Sequence, residues 1–512
     1  MASIFQAFPA LRRAAPRLSR EFFTCRACLK PAKPAVLPPL RTQLRPSPLL
    51  RAVRWQSAHT GAAVKAGQSP LGALSETIGS RAGQRTAGSA KSSFPEQNDK
   101  IVAYWLLGSA ASVFGIVVFG GLTRLTESGL SITEWRPVAG SLPPMSQADW
   151  ESEFDKYRAS PEFKMLNSRM TLEEFKQIYW MEWGHRLWGR FIGMTFLLPT
   201  IYFIARRKVT KSMAWKLTGI CGMIGFQGVI GWWMVASGLK DDLFNPGSHP
   251  RVSQYRLTAH LGAAFVVYCS MLLTGFSILR ERRWLADPAA AEKVIAGLQH
   301  PTLRPFRRYV TALTALVFVT AMSGALVAGL DAGLIYNEFP WMGLGLTPPK
   351  KELFDPFYSH TADQSDLWWR NMLENPSLVQ LDHRCLAMTT FTAVITLAAY
   401  TRFPRLRAVL PANVKEGMTG VTHMAWVQVA LGISTLIYMV PTHLAATHQA
   451  GALALLTTTV LLWSRMRVPS KLARMVRARS GAASATRPRS PVSPDLKNKP
   501  IGGTAGSIDQ SA

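Results

Sequence analysis

A chain of 512 residues, 48% hydrophobic and 17% charged with a formal net charge of +28, suits either a basic nucleic-acid binder or an oriented membrane protein. The placement of charge separates them: apolar residues gather into long blocks, and the basic residues cluster at the N-terminus and at alternate ends of those blocks. That pattern argues against a nucleic-acid partner and for a membrane-embedded chain.

Residues 1–96 hold fifteen Lys and Arg against three acids, Glu21, Glu76 and Glu96. A mitochondrial transit peptide needs this bias, since it must be positive and amphipathic rather than stably folded. Phe5 to Phe23, with Arg12, Arg13, Arg17 and Arg20 between apolar residues, fits the import helix, and cleavage is placed near Arg54-Trp55-Gln56-Ser57. The rest, to Pro95, reads as a disordered linker. Cys25 and Cys28 have metal or redox spacing but stand inside this discarded leader.

Eight apolar segments follow, at 101–123, 185–204, 213–236, 257–279, 310–330, 380–400, 418–439 and 443–463, each near the twenty or so residues that a bilayer requires. The expected fold is therefore all-α and polytopic, with eight transmembrane helices forming two parallel-repeat four-helix bundles. Residues 97–300 make the first bundle, 301–466 the second, and 467–512 a disordered tail. Basic clusters follow the second, fourth, sixth and eighth segments, whereas 331–378 is acidic. By the positive-inside rule both termini face the matrix of the mitochondrial inner membrane, and loops 124–184 and 331–378 face the intermembrane space.

The first of those loops carries order. Thr171-Leu172-Glu173-Glu174 is a capping box, so a helix starts there and runs toward the second segment. Trp150, Phe154 and Tyr157 form an amphipathic stripe that either packs or lies on the membrane, with packing the safer reading.

An internal repeat is legible in the chain itself. Gly129-Leu130 recurs as Gly333-Leu334, Gln227 to Gly231 as Gln428 to Gly432, and the Thr258 to Ala263 run as Thr447 to Ala452, at offsets of 204, 201 and 189, with His260 to His448 at 188. His185 to His383 adds 198. An even number of spans per half makes the halves parallel repeats. His185, His260, His383 and His448 then sit at similar depth near the outer face, two per half.

One such histidine alone reads as a hydrogen-bonded residue in a helix interface. Four in repeat register favour haem iron, which takes an imidazole from each side and fits between helices. Zinc or copper is less suited, because no thiolate or further carboxylate stands at that depth. His59, His249, His300, His360 and His423 are expected at the surface or in the leader, and His443 points away from His448. The halves differ at Glu182, one turn before His185, where the second half has Val379. A carboxylate beside one site suggests that this site reacts; the alternative is an interfacial acid paired with Arg186.

The runs Gly120 to Ser131, Glu134 to Pro137 and Glu182 to Arg186 closely resemble the Cox15/CtaA family of haem A synthases, over about 101–465. The resemblance implies oxidation of the C8 methyl of haem O to a formyl group, giving haem A for cytochrome c oxidase. It assigns His185 and His260 to the substrate haem, Glu182 to catalysis, and His383 and His448 to a haem b cofactor. It also implies haem O synthase and a ferredoxin-type electron donor as partners, and a homo-oligomer is compatible with it. Bacterial members often carry a loop cysteine pair; Cys221, Cys269 and Cys385 lie within the spans here. Arg124, Arg136, Arg186 and Arg384 are candidates for the haem propionates. A two-haem electron-transfer cytochrome would use the same histidines without needing Glu182.

Overall fold

Among the described residues of the computed structural model, 94–137, 139–244 and 250–485, every regular element is helical apart from one isolated bridge between Met342 and Gly345. The transit segment with Cys25 and Cys28, His59, His249 and the chain beyond 485 fall outside those residues.

Eight long helices occupy the apolar blocks: α1 Lys100–Leu125, α2 Leu172–Ala205, α3 Lys211–Val235, α4 Gln254–Ala286, α5 Leu303–Gly329, α6 Pro376–Tyr400, α7 Ala412–Ile437 and α8 Thr442–Met466. Seven of them are long and apolar enough to cross a membrane. The eighth, α6, has the length at 25 residues, but His383 and Arg384 lower the hydropathy of its apolar stretch. The protein is an all-α polytopic membrane protein.

The helix α2 begins well before its apolar block because the capping box forms. Thr171 Oγ1 accepts from the Glu174 amide at 3.3 Å, and the Glu174 carboxylate accepts from the Thr171 amide at 2.8 Å. At 34 residues the helix is roughly 50 Å long by the 1.5 Å rise, against a hydrocarbon core of about 30 Å. Its first turns therefore stand in the loop region, where Phe175 and Tyr179 bury against Phe154 and Tyr157 of the short helix Gln147–Arg158. Phe154 stacks on Phe175 at 5.0 Å, so the amphipathic stripe packs against protein.

Packing around each half closes a ring. Within the first half α1 meets α2, α2 meets α3, α3 meets α4, and α4 returns to α1; α5 to α8 repeat the circuit. The diagonal partners, α2 with α4 and α6 with α8, are not packed neighbours. The rings join through α4 with α5 and α8 with α1, sharing one apolar core that holds Val102, Phe265, Leu313 and Leu453 together. Polar clasps cross the seam: Gln449 Nε2 donates to the Val117 carbonyl at 2.9 Å, and Tyr268 and Thr457 share a 2.8 Å hydrogen bond. Near the ring mouths Arg124 pairs with Asp331 at 2.7 Å, and Arg251 reaches the same carboxylate at 3.3 Å.

One expectation is corrected. The chain from 467 was read as disordered, yet Ser470–Ala485 is a helix whose Leu472, Ala473 and Val476 bury against Ala291 and Ile295 of the helix Pro288–Leu298. Its apolar positions are diluted by Lys471, Arg474, Arg477 and Arg479, and their partner lies far away in sequence.

The loop region buries one acid without compensation. Glu162 is 4% exposed, and its Oε2 has no hydrogen-bond partner. Burial first, then the charges of Glu182 and Glu127, push its pKa from 4.5 to about 8, with Tyr157 and Arg124 opposing. The folded protein therefore keeps a proton there that the unfolded chain releases, so stability falls as pH rises from about 4.5 toward about 8. Thermal unfolding of purified protein across that window should show the fall, and Glu162→Gln should flatten it; an unchanged slope in the variant would refute this account.

Candidate functional site

A single continuous cavity of about 1640 Å³ runs through both rings, larger than the roughly 300–1,000 Å³ usual for one small ligand. All four repeat histidines line it. His185 on α2 faces His260 on α4 across the first diagonal, and His383 on α6 faces His448 on α8 across the second.

Each imidazole lies against a glycine of the preceding helix. A Cβ added at Gly120 would stand 2.7 Å from His185 Cε1, at Gly231 3.1 Å from His260, at Gly324 3.0 Å from His383, and at Gly432 2.9 Å from His448. Only glycine leaves the ring that room. Gly231 and Gly432 mark the repeat in the sequence, but their role as cradles shows only in the fold. The offset of 204 that relates Gly129 to Gly333 also relates Gly120 to Gly324, and was the signal available. Gln227 Nε2 donates to the His260 carbonyl at 2.7 Å and Gln428 Nε2 to that of His448 at 3.0 Å, anchoring the ligand-bearing turn in both halves.

Glu182 lines the cavity beside His185 and is 3% exposed. Its Oε2 accepts from Ser131 Oγ and from the Ile132 amide, each at 2.7 Å, and Oε1 accepts from Arg186 at 2.6 Å. Arg186 also donates to the carbonyls of Ile132 and Glu134, at 2.8 and 3.1 Å. The loop after α1 and the first turns of α2 thus hold one carboxylate in a fixed orientation. Counted from His383 at the offset of 198, the counterpart of Glu182 is Gln380 rather than Val379; Gln380 lines the cavity, its Nε2 donates to the Tyr336 carbonyl at 3.0 Å, and it brings no charge to the second pair.

Of the four arginines singled out, Arg124, Arg186 and Arg384 line the cavity. Arg384 donates to the carbonyls of Tyr336 at 2.9 Å and Trp341 at 3.1 Å, and the Nε atoms of Arg124 and Arg384 are buried without a partner. Arg136 is occupied by Glu134 and Glu153 and does not line the cavity. Arg190, one turn beyond Arg186, does, with a buried, unpartnered Nη1. An arginine inside an apolar span was signal enough to mark it. His300, His360, His423 and His443 are exposed, and Cys221, Cys269 and Cys385 are free thiols.

A family model described as "Cytochrome oxidase assembly protein", COX15-CtaA, matches residues 103–460. The chain belongs to the COX15-CtaA family. It is 52% identical over 374 residues to "Heme A synthase COX15" of Saccharomyces cerevisiae, covering 73% of this chain and 76% of the relative. A "Heme A synthase-mitochondrial ferredoxin fusion protein" of Schizosaccharomyces pombe is 50% identical over 373 residues, 72% of this chain and 60% of that protein. "Heme A synthase COX15" of Bos taurus is 44% identical over 371 residues, 72% of this chain and 83% of the relative. Mitochondrial relatives and apolar helices together make this a multi-pass mitochondrial membrane protein.

The residues of this COX15-CtaA chain fit a haem. Each imidazole pair offers two axial ligands across an open diagonal, the glycines cradle the rings, and the Nδ1 atoms of His185 and His260 are buried without partners. Among the described residues no group of three or more His, Cys, Asp or Glu gathers to hold a bare ion, whereas a porphyrin brings four nitrogen ligands of its own.

Gly432→Ala tests the cradle. Alanine improves helix propensity by about 1 kcal/mol, so any loss is not a weakened helix. Haem bound by the second pair should fall roughly 10-fold or more in affinity, measured as haemochrome per protein; wild-type haem content would count against the cradle.

Proposed function

We propose that this chain is a haem A synthase that takes haem O between His185 and His260 and oxidises its C8 methyl to a formyl group for cytochrome c oxidase assembly. It is an enzyme by its family, and the proposal makes it an oxidoreductase acting on a CH group. The observation that carries the reading is the pairing of imidazoles across both diagonals with a fixed carboxylate, Glu182, beside the first pair alone.

Taking a methyl to an aldehyde removes four electrons in two successive two-electron stages, through the alcohol and its oxidised hydrate. Glu182, itself buried, is the group placed to accept a proton or to stabilise positive charge developing at the methyl carbon. Ser131, the Ile132 amide and Arg186 fix where that carboxylate points. Haem b, the cofactor proposed for His383 and His448, supplies one-electron chemistry when bound. Gln380, a neutral amide that donates to the Tyr336 carbonyl, stands where the first half has its acid. Arg124, Arg186 and Arg384, joined by Arg190, are positioned to pair with propionates from the cavity wall, a role Arg136 is less well placed to fill.

Loop charge supports eight crossings in the inner membrane with both termini in the matrix, α6 being the crossing that carries His383. An electron donor of ferredoxin type is proposed because the fission-yeast relative is named as a fusion with one. Haem O synthase is proposed as the source of substrate.

Glu182→Gln, purified and extracted for pigment, should keep both haems and lower haem A formation by roughly 10²-fold or more. Undiminished haem A would remove the carboxylate from the mechanism, and a wild-type protein that never yields haem O or A would favour the two-haem cytochrome.

A further inference from the structure

The two imidazole pairs differ in what holds their second ring nitrogen. The offset of 204 puts Ser323 of α5 where α1 has Phe119, each next to the glycine that cradles a histidine. Ser323 Oγ donates to the Thr320 carbonyl at 2.8 Å and lies 2.7 Å from His383 Nδ1. A hydroxyl has one proton, so with that proton on the carbonyl the oxygen meets Nδ1 as an acceptor. Nδ1 then carries the ring hydrogen, and Nε2 keeps the lone pair that an iron needs.

Phe119 offers no such oxygen. Its ring lies 6.4 Å from that of His185, centroid to centroid and 21° from parallel, and His185 Nδ1 is buried with no partner. His260 Nδ1 has none either. In the second half Gln428 Nε2 lies 3.1 Å from His448 Nδ1, but an amide N–H only donates and does not select the ligating tautomer there, so among the four rings only that of His383 is offered an acceptor at Nδ1, by Ser323.

We propose that the position shared by Ser323 and Phe119 decides which site keeps its tetrapyrrole. Ser323 is a positioning residue that holds His383 in the ligating tautomer and makes the second pair retentive. Phe119 leaves His185 a weaker, reorientable ligand, as a site must have if a haem substrate is to enter and a haem product to leave. An outer hydrogen bond on Nδ1 raises ligand basicity, so it also lowers the reduction potential of the iron it serves. This inference rests on the haem reading given above.

The test uses purified holoprotein, an excess of apomyoglobin as haem acceptor, and a redox titration followed by absorbance. His383→Ala first identifies the signal of the second-pair haem by removing it. Ser323→Ala should speed loss of that haem roughly 10- to 100-fold and raise its potential, and Ser323→Thr should restore both. Phe119→Ser should slow haem loss from the first pair. Unchanged loss and potential in Ser323→Ala, with His383→Ala still removing the signal, would overturn the inference while leaving the haem sites standing. A His383→Ala protein with its haem complement intact would overturn the haem assignment and this inference with it.

Discussion

Four imidazoles stand inside two helical rings, and each stands there because the helix beside it has no Cβ at the point of contact. Gly120, Gly231, Gly324 and Gly432 are the condition for everything else in the cavity. Were any of them alanine, the nearby Cε1 would lie about 3 Å from a methyl carbon, and the ring would have to shift, by a few tenths of an ångström beside Gly231 and Gly324 and by more beside Gly120 and Gly432. The ring order then does the rest: since α2 and α4, like α6 and α8, are not packed neighbours, the space between each histidine pair is open to a flat ligand.

Duplication supplied two such sites, and small departures from symmetry separate their chemistry. Glu182 corresponds to Gln380, and Phe119 to Ser323, across the repeat. The first half has the carboxylate and the unrestrained imidazoles, and the second has neither. On the proposed reading, one half reacts with a haem and exchanges it, and the other retains one. The shared core and the Gln449 to Val117 clasp join the two rings.

The helices were legible because hydrophobic blocks long enough to span a bilayer have few other uses, and α2 was legible beyond its block because Thr171 and Glu174 cap it. The repeat was legible in Gln227 and Gln428, and it put the four histidines in register, two per half. What sequence could not provide was contact between distant residues. Arg124 is drawn to Asp331, 207 positions away, and Glu182 to the Ser131 hydroxyl and the Ile132 amide. The helix Ser470–Ala485 escaped notice for the same reason, since its stability comes from Ala291 and Ile295 rather than from its own composition. The glycine cradles were visible as letters in register, but their meaning depends on which helix lies beside which, and that order is a property of the folded rings.

The most direct measurement is low-temperature electron paramagnetic resonance of the oxidised, purified protein and its four single histidine-to-alanine variants, with haem quantified per chain. Two low-spin haems ligated by paired imidazoles are expected in the wild type. His185→Ala or His260→Ala should abolish one signal and His383→Ala or His448→Ala the other. Coordination unaltered in all four variants would contradict the account.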